Sequence, residues 1–348
     1  MAGDEDSLQV EIERSRRELA ELSQKEGSSI ERLDVLSREI TLVTDLTDSL
    51  RSRDSVLTIE LDALAETLLV RRVELDSAVA VQKEVLRAMF IRGRGGEWSF
   101  LLGGEGFSDF VSRFGYFAFL ARERKTISEA TAIAALRVEV IIDSTEVLRA
   151  KVVENRRARE TELDSLRAAK VKKENVIAEI REDKETYGRA ISAMEQSLAE
   201  LREKLPDIVA GGEFEKYRGG LPWPTTSTTI IHPFGIVREQ RFGTEFRNAG
   251  IDISTDPEES VRAVANGRVA QIYWLRGYGR IVILQHEGGF FSVYGNLGKV
   301  HVNKGETVST GRTIGATAPE GWLEGAKLHF EIRRGKQEVN PIEWLIAA

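Results

Sequence analysis

The chain contains no cysteine, so disulfides and thiolate metal sites are both excluded. It also lacks any uninterrupted apolar run long enough for a spanning helix, which argues against membrane insertion. Its opening residues, Met1-Ala2-Gly3-Asp4-Glu5-Asp6, have neither the basic nor the apolar region of a signal peptide. All seven prolines fall at or after Pro206, leaving some two hundred residues without the residue that most reliably breaks a helix. Basic excess is missing too. Residues 222–348 hold 14 Lys/Arg against 13 Asp/Glu and the rest 35 against 43, so the acidic surplus lies in the first part and nucleic acid is not the expected partner.

The proline-free part carries an apolar heptad. Leu19, Leu33, Ile40, Leu61 and Leu68 take one position, and Leu22, Leu36, Val43, Leu50, Leu57 and Leu64 the other; Glu26, Ser29, Thr47 and Asp54 interrupt them. A spacing of three and four sustained this long predicts a coiled coil. Around Arg92–Trp98 the heptads stop and rings crowd together: Trp98, Phe100, Phe107, Phe110, Phe114, Tyr116, Phe117 and Phe119. These can close the tip of a helical hairpin or offer a docking surface. Helical character resumes from about Glu123 to Leu205. The fold-back of one chain is the expected arrangement, and a dimeric mass would point to a parallel coil instead.

Pro206 ends the helix, and Gly211-Gly212, Gly219-Gly220, Pro222 and Pro224 mark a linker. Beyond it Arg280–His286 and Phe290–Tyr294 flank Glu287-Gly288-Gly289, the pattern of a β-hairpin. Asp252 and His329 are residue types that bind zinc, but a catalytic zinc takes three protein ligands and a water. On a strand, positions 327, 329 and 331 share a face, so the Lys327 ammonium lies close to anything His329 holds. Two cations a few ångströms apart repel by roughly 4 kcal/mol at an effective dielectric of 20. The site reads as metal-free. Gly250 is expected to allow a close backbone approach or a positive φ. His286 reads as structural, and His232 and His301 receive no role.

Residues from about 222 to 348 resemble the LytM (lysostaphin-like) zinc peptidases, which cut peptidoglycan cross-bridges. The family's His-x-x-x-Asp falls on Asn248 to Asp252, its His-x-His on Lys327-Leu328-His329, and its Tyr-x-His-Leu on Tyr294-Gly295-Asn296-Leu297. The resemblance thus implies that one ligand and both catalytic histidines are replaced. Residues 101–116, with Leu101-Leu102-Gly103-Gly104 and Phe107-Ser108-Asp109-Phe110, are similar to EnvC-type murein hydrolase activators. This resemblance implies a non-catalytic activator of peptidoglycan amidases in cell division, with no cofactor. The amidase partner would bind the empty LytM cleft, lined by Asn248, Asp252, Tyr294, Asn296, Lys327 and His329 and rimmed by Arg247, Arg276, Arg280 and Arg333. The tip residues Trp98, Phe100, Phe107, Phe110, Phe114 and Tyr116 would dock on the FtsX loop of the FtsEX complex. It further implies a periplasmic place at the division site, a leader lying outside this chain, and possible contact with peptidoglycan.

The expected fold is therefore multidomain α plus β, a long antiparallel coiled-coil hairpin followed by a mostly antiparallel β LytM-like domain. Its parts are a coiled-coil helix at 1–92, an aromatic helical tip at 93–122, a returning coiled-coil helix at 123–205, a linker at 206–221 and the degenerate LytM domain at 222–348. In EnvC-type proteins a helical element near the LytM domain can cover the partner groove, and about 150–205 is where such a restraint is expected. Two alternatives stand beside the activator: a zinc-dependent peptidoglycan endopeptidase with a third ligand not recognised in the sequence, and a wall-binding scaffold.

Overall fold

The computed structural model describes residues 2–24, 28–92, 107–205, 213–239 and 243–347. They form two compact units, Met1–Asp48 with Glu162–Ala348, and Ser49–Thr161. Among the described residues of the first part there are four α-helices: α1 (Ala2–Gln24), α2 (Ser29–Arg92), α3 (Phe107–Glu182) and α4 (Lys184–Lys204). Among the described residues no helix is long and apolar enough to cross a membrane.

Helix boundaries differ from the expected 1–92 and 123–205, and each difference has a local cause. Helix α2 begins at Ser29, one of the positions that interrupt the heptad. There Ser28 Oγ accepts from the Glu31 amide at 3.2 Å while Glu31 Oε2 accepts from the Ser28 amide at 3.3 Å, a reciprocal capping box that starts a new helix. The returning helix is likewise two. Asp183 adopts an extended backbone and its carboxylate accepts from the Thr186 amide at 2.7 Å, capping α4 separately. At its far end Leu205 is extended, as a residue before proline must be. Within the helical tip expected at 93–122, the described residues are helical from Phe107. Trp98 and Phe100 lie outside the described residues, as does the side chain of Phe107.

In the unit Ser49–Thr161, burial along α3 follows three-four spacing through Val138, Thr145, Leu148 and Val152. Asn155 donates to the Leu50 carbonyl at 2.9 Å and Arg156 pairs with Asp54 at 2.8 Å. Other apolar residues here, such as Ile59, Leu69, Val70 and Leu136, remain exposed, as a narrow two-helix seam requires. The rings of Phe114, Tyr116 and Phe119 are more than half exposed, and Phe110 and Phe114 stack at 6.1 Å between centroids.

In the other unit α2 is buried on more than one face, through Ile30, Leu33, Val35, Leu36, Leu42, Val43 and Leu46. A two-helix coil would not bury so wide a surface. The extra partners are Val176 and Ile180 of α3, Tyr187, Ala190 and Ile191 of α4, and Trp322 and Leu323 of the β domain.

Among the described residues the β domain has twelve strands: β1 (Ile230–His232), β2 (Gly235–Arg238), β3 (Glu245–Asn248), β4 (Ile251–Ser254), β5 (Ser260–Arg262), β6 (Gly267–Leu275), β7 (Gly279–Gln285), β8 (Phe290–Val300), β9 (Thr307–Val308), β10 (Thr313–Thr317), β11 (Lys327–Arg334) and β12 (Gln337–Val339). The main sheet runs β1-β4-β11-β8-β7-β6-β9, with β10 on β5 and β8 and β12 on β11; β2 and β3 pair apart. Every pairing between these strands is antiparallel. The expected hairpin is β7–β8, turned by Gly288 (φ 70°) and Gly289 (φ 71°). One face of the sheet buries an apolar core that includes Ile251, Ile253, Tyr294, Leu328, Phe330 and Ile332. Strand alternation then sends Asp252, Lys327, His329, Glu331 and Arg333 to the other face. Gly250 permits close approach, since a Cβ there would lie 2.2 Å from the Phe330 carbonyl oxygen.

Candidate functional site

The pairing of β4 with β11 sets His329 opposite Asp252, and β1 brings His232 opposite Asp252 from the other side. Asp252 is the hub. Its Oδ2 accepts from Lys327 Nζ at 2.8 Å and meets His232 Nδ1 at 2.9 Å, while its Oδ1 accepts from His329 Nδ1 at 2.7 Å. His329 Nε2 then donates to Glu331 Oε1 at 2.8 Å, and Glu331 accepts from Arg333. Lys327 also donates to Glu324 Oε2 at 2.8 Å. Along one strand, cation, imidazole, carboxylate and guanidinium thus alternate with their counter-charges, and all but Glu324 are almost wholly buried.

Titration follows from these contacts. Burial disfavours charge on Asp252, yet Lys327 and its two histidine partners outweigh burial and hold the carboxyl well below its usual range. Burial also opposes charge on Glu331, but Arg333 and His329 bring it to about 2. His329 would be neutral by burial alone; hydrogen bonds to Asp252 and Glu331 lift it to about 9. Lys327 is likewise raised, Asp252 and Glu324 overcoming desolvation. The row is a balanced chain of charges inside protein, stable only because each has its partner.

Zinc does not fit this donor set. A histidine ligand must be neutral with a ring nitrogen available, whereas His329 is an imidazolium at neutral pH with both nitrogens committed to carboxylates. Asp252 Oδ2 is already held by an ammonium. The Asn248 amide is spent on the backbone, donating to the His232 carbonyl at 3.2 Å and accepting from the Gly250 amide at 3.3 Å. Among the described residues no group of three or more His, Asp or Glu side chains is placed to hold a metal ion.

Not all the expected site residues come together. Asn248, Asp252 and Lys327 share one small cavity, with His232, Phe246 and Tyr278. His329 lies beneath, its ring 4.4 Å from that of Tyr278. Asn296 lines a different cavity. Tyr294 faces the apolar core, where its hydroxyl accepts from the Val264 amide at 3.0 Å, so it belongs to the fold and not the cleft. Of the four arginines expected on the rim, Arg333 is fully buried behind the site. Arg280 is clamped to Asp45 of α2 at 2.5 Å. Arg247 is exposed and pairs with Glu338 at 2.8 Å, and Arg276 is exposed. Glu324 and Glu331 were not among the expected site residues, and His232, expected to have no role, is a partner of Asp252. Glu331 was on the predicted face; His232 required knowing that Ile230–His232 is a strand. His286 is structural as expected, held by the Asn266 carbonyl at 2.7 Å and Ser292 Oγ at 2.7 Å.

The cleft is covered from within its own unit. Tyr187, Ile191 and Met194 of α4 complete the cavity that contains Asn248, Asp252 and Lys327, leaving only about 20 Å³. Further along, Leu198 and Leu201 join Ala249, Leu275, Tyr278 and Ile281 in an apolar cluster. Glu195 accepts from the Arg247 amide at 2.9 Å. Gly277 makes the seat possible, since a Cβ there would meet Met194 Cγ at 2.4 Å. Acidic residues of α2 lie on neighbouring donors: Asp34 on Trp274 Nε1 at 3.0 Å and Asp48 on Lys299 at 2.8 Å.

Folding stability is expected to peak near pH 6.5. His329 is raised from 6.5 to about 9, so its contribution is complete below 6.5 and is lost as pH rises through 9, roughly 3 kcal/mol. His286 is lowered by burial from 6.5 to about 4, so a comparable loss accrues as pH falls through that window. Urea midpoints measured from pH 4 to 9 test both limbs, and a flat profile above pH 6.5 would contradict the His329 assignment.

Residues 246–341 match the model of peptidase family M23. The C-terminal domain is similar in sequence to two curated activators. It is 38% identical over 128 residues to the murein hydrolase activator EnvC of Escherichia coli (strain K12), covering 37% of this chain and 29% of that protein. It is 33% identical over 124 residues to the murein hydrolase activator NlpD of the same strain, covering 35% and 30%. The chain therefore spans under a third of the length of either relative. A zinc containing peptidase from Vibrio cholerae aligns at 24% identity with a TM-score of 0.33, over 37% of this chain and 40% of that one.

Proposed function

We propose that this chain is a non-catalytic activator of peptidoglycan hydrolases, acting on N-acetylmuramoyl-L-alanine amidases during cell division and daughter-cell separation in the periplasm. The observation that carries the reading is Lys327, whose ammonium occupies Asp252 where a catalytic site needs a metal. Similarity to two murein hydrolase activators supports the substrate class. The surface around Asn248, Asp252 and Tyr278 is the partner groove, and α4 is its restraint. An amphipathic helix from the amidase would replace α4, giving the exchange a defined competitor. The exposed rings of Phe110, Phe114 and Tyr116 are the surface through which FtsEX would act. For that coupling FtsEX must favour the state with α4 released.

Dye release from labelled peptidoglycan tests the core of this reading. The full chain alone should release nothing, and chain plus a cognate amidase should exceed amidase alone on the order of tenfold once α4 is released. Release by the chain alone would overturn it in favour of an endopeptidase.

A further inference from the structure

A second cavity, of about 50 Å³, lies between α2, α3 and the β domain within the same unit. Among the described residues only a few buried polar side-chain atoms lack a hydrogen-bond partner, and three of them belong to residues lining this cavity: Ser37 Oγ, Asn296 Nδ2 and Trp322 Nε1. All three residues are more than nine-tenths buried. Native proteins rarely leave such groups orphaned, and three on residues that line one cavity imply an absent partner. Lys173 also lines the cavity, 4% exposed, with one hydrogen bond to the Gly321 carbonyl at 3.0 Å and Glu320 at 3.9 Å. Burial lowers its pKa despite Glu320, so a further anion would relieve it.

The chemistry of the orphans narrows the partner. Indole N–H donates only, and an amide nitrogen donates only. The hydroxyls and carboxylates that also line the cavity, on Thr41, Thr44, Thr317, Glu258 and Glu320, leave the Asn296 and Trp322 N–H groups unpaired, so the missing partner is an acceptor. An oxyanion has no proton to place, and bonds to it from N–H groups and an ammonium are the stronger, charge-assisted kind. Asn296 takes a left-handed backbone, which asparagine tolerates: at φ 60° its amide donates to the Tyr278 carbonyl at 2.6 Å and its carbonyl accepts from the Ala318 amide at 2.7 Å.

From these residues we infer that the cavity between α2, α3 and the sheet is a binding site for a carboxylate, held by Asn296, Trp322, Ser37 and Lys173. The carboxylate comes either from a small free acid or from the C-terminus of a peptide entering from the open side, where Lys299 and Glu258 line the mouth. The inference does not depend on the activator reading.

Thermal unfolding of the full chain at constant ionic strength tests it, with sodium acetate as the free acid, trialanine as the peptide, and acetamide and trialanine amide as uncharged controls. A carboxylate should raise the midpoint saturably with half-saturation in the millimolar range, and the controls should not. Trp322→Phe, which keeps the ring, and Asn296→Asp, which keeps the shape, should each weaken binding at least about tenfold. Response to trialanine alone assigns the site to peptide C-termini, and response to acetate assigns it to free acids. No saturable rise with either, an equal rise with the controls, or unchanged binding by both variants would overturn the proposal and leave the cavity to water.

Discussion

Replacing Asp252 with alanine is expected to destabilise the chain by about 3–5 kcal/mol. The size follows from what is stranded. Lys327 loses the stronger of its two carboxylate partners and His329 loses one of the two bonds that keep it charged, both inside protein. Asp252→Ala combined with Lys327→Met should recover much of the loss, because an apolar pair of similar volume escapes the desolvation that a lone ammonium suffers. Urea unfolding of the three proteins at pH 7 measures both steps. A single-variant loss below about 1 kcal/mol would mean the row is solvated and not the buried chain described above.

The second large effect concerns activation. Ile191→Glu with Met194→Glu puts two carboxylates into the apolar contact between α4 and the cleft, where each must stay hydrated or be neutralised. Burial of Tyr187, Ile191 and Met194 is worth roughly 1.5–3 kcal/mol per side chain, so the double variant should release α4 while the sheet stays folded. Amidase-dependent dye release should then rise on the order of 10- to 100-fold over the parent chain. Gln196→Glu, at an exposed position of α4, should change nothing. Hydrogen exchange of the α4 amides reports release independently. Released α4 with unchanged activation would remove α4 from the regulation.

How far the sequence could carry these conclusions differs from element to element. Proline distribution marked the helical part, but the interruptions at Glu26 and Ser29 did not reveal the Ser28–Glu31 capping box that starts α2. The Asp183-to-Thr186 cap was equally local but sat inside an unbroken three-four pattern that masked it. The hairpin β7–β8 was legible because glycine and apolar alternation agree there. Lys327 beside His329 was legible because a strand repeats every two residues. That same rule misplaces Tyr294 and Asn296, two apart on β8. The left-handed backbone at Asn296 breaks the alternation, so one side chain joins the core and the other a separate cavity. The arginines expected on the rim had no pattern to place them. What pairs Arg280 with Asp45 or buries Arg333 beside Glu331 is tertiary contact between residues distant in sequence or a register that only the sheet defines.

The separate cap on α4 sets a threshold for any competitor. With Asp183 and Leu205 defining its ends, α4 keeps its own helical start when it leaves the cleft, so departure requires no unwinding. It remains tethered to α3 by a single non-helical residue. A tether that short holds the displaced segment at an effective concentration in the millimolar range. An external helix must therefore bind the bare groove far more tightly than α4 does per molecule, or arrive while something else is pulling on α3. Stray helices at micromolar concentration are rejected by mass action alone, and affinity for the groove need not be low for the resting state to be silent.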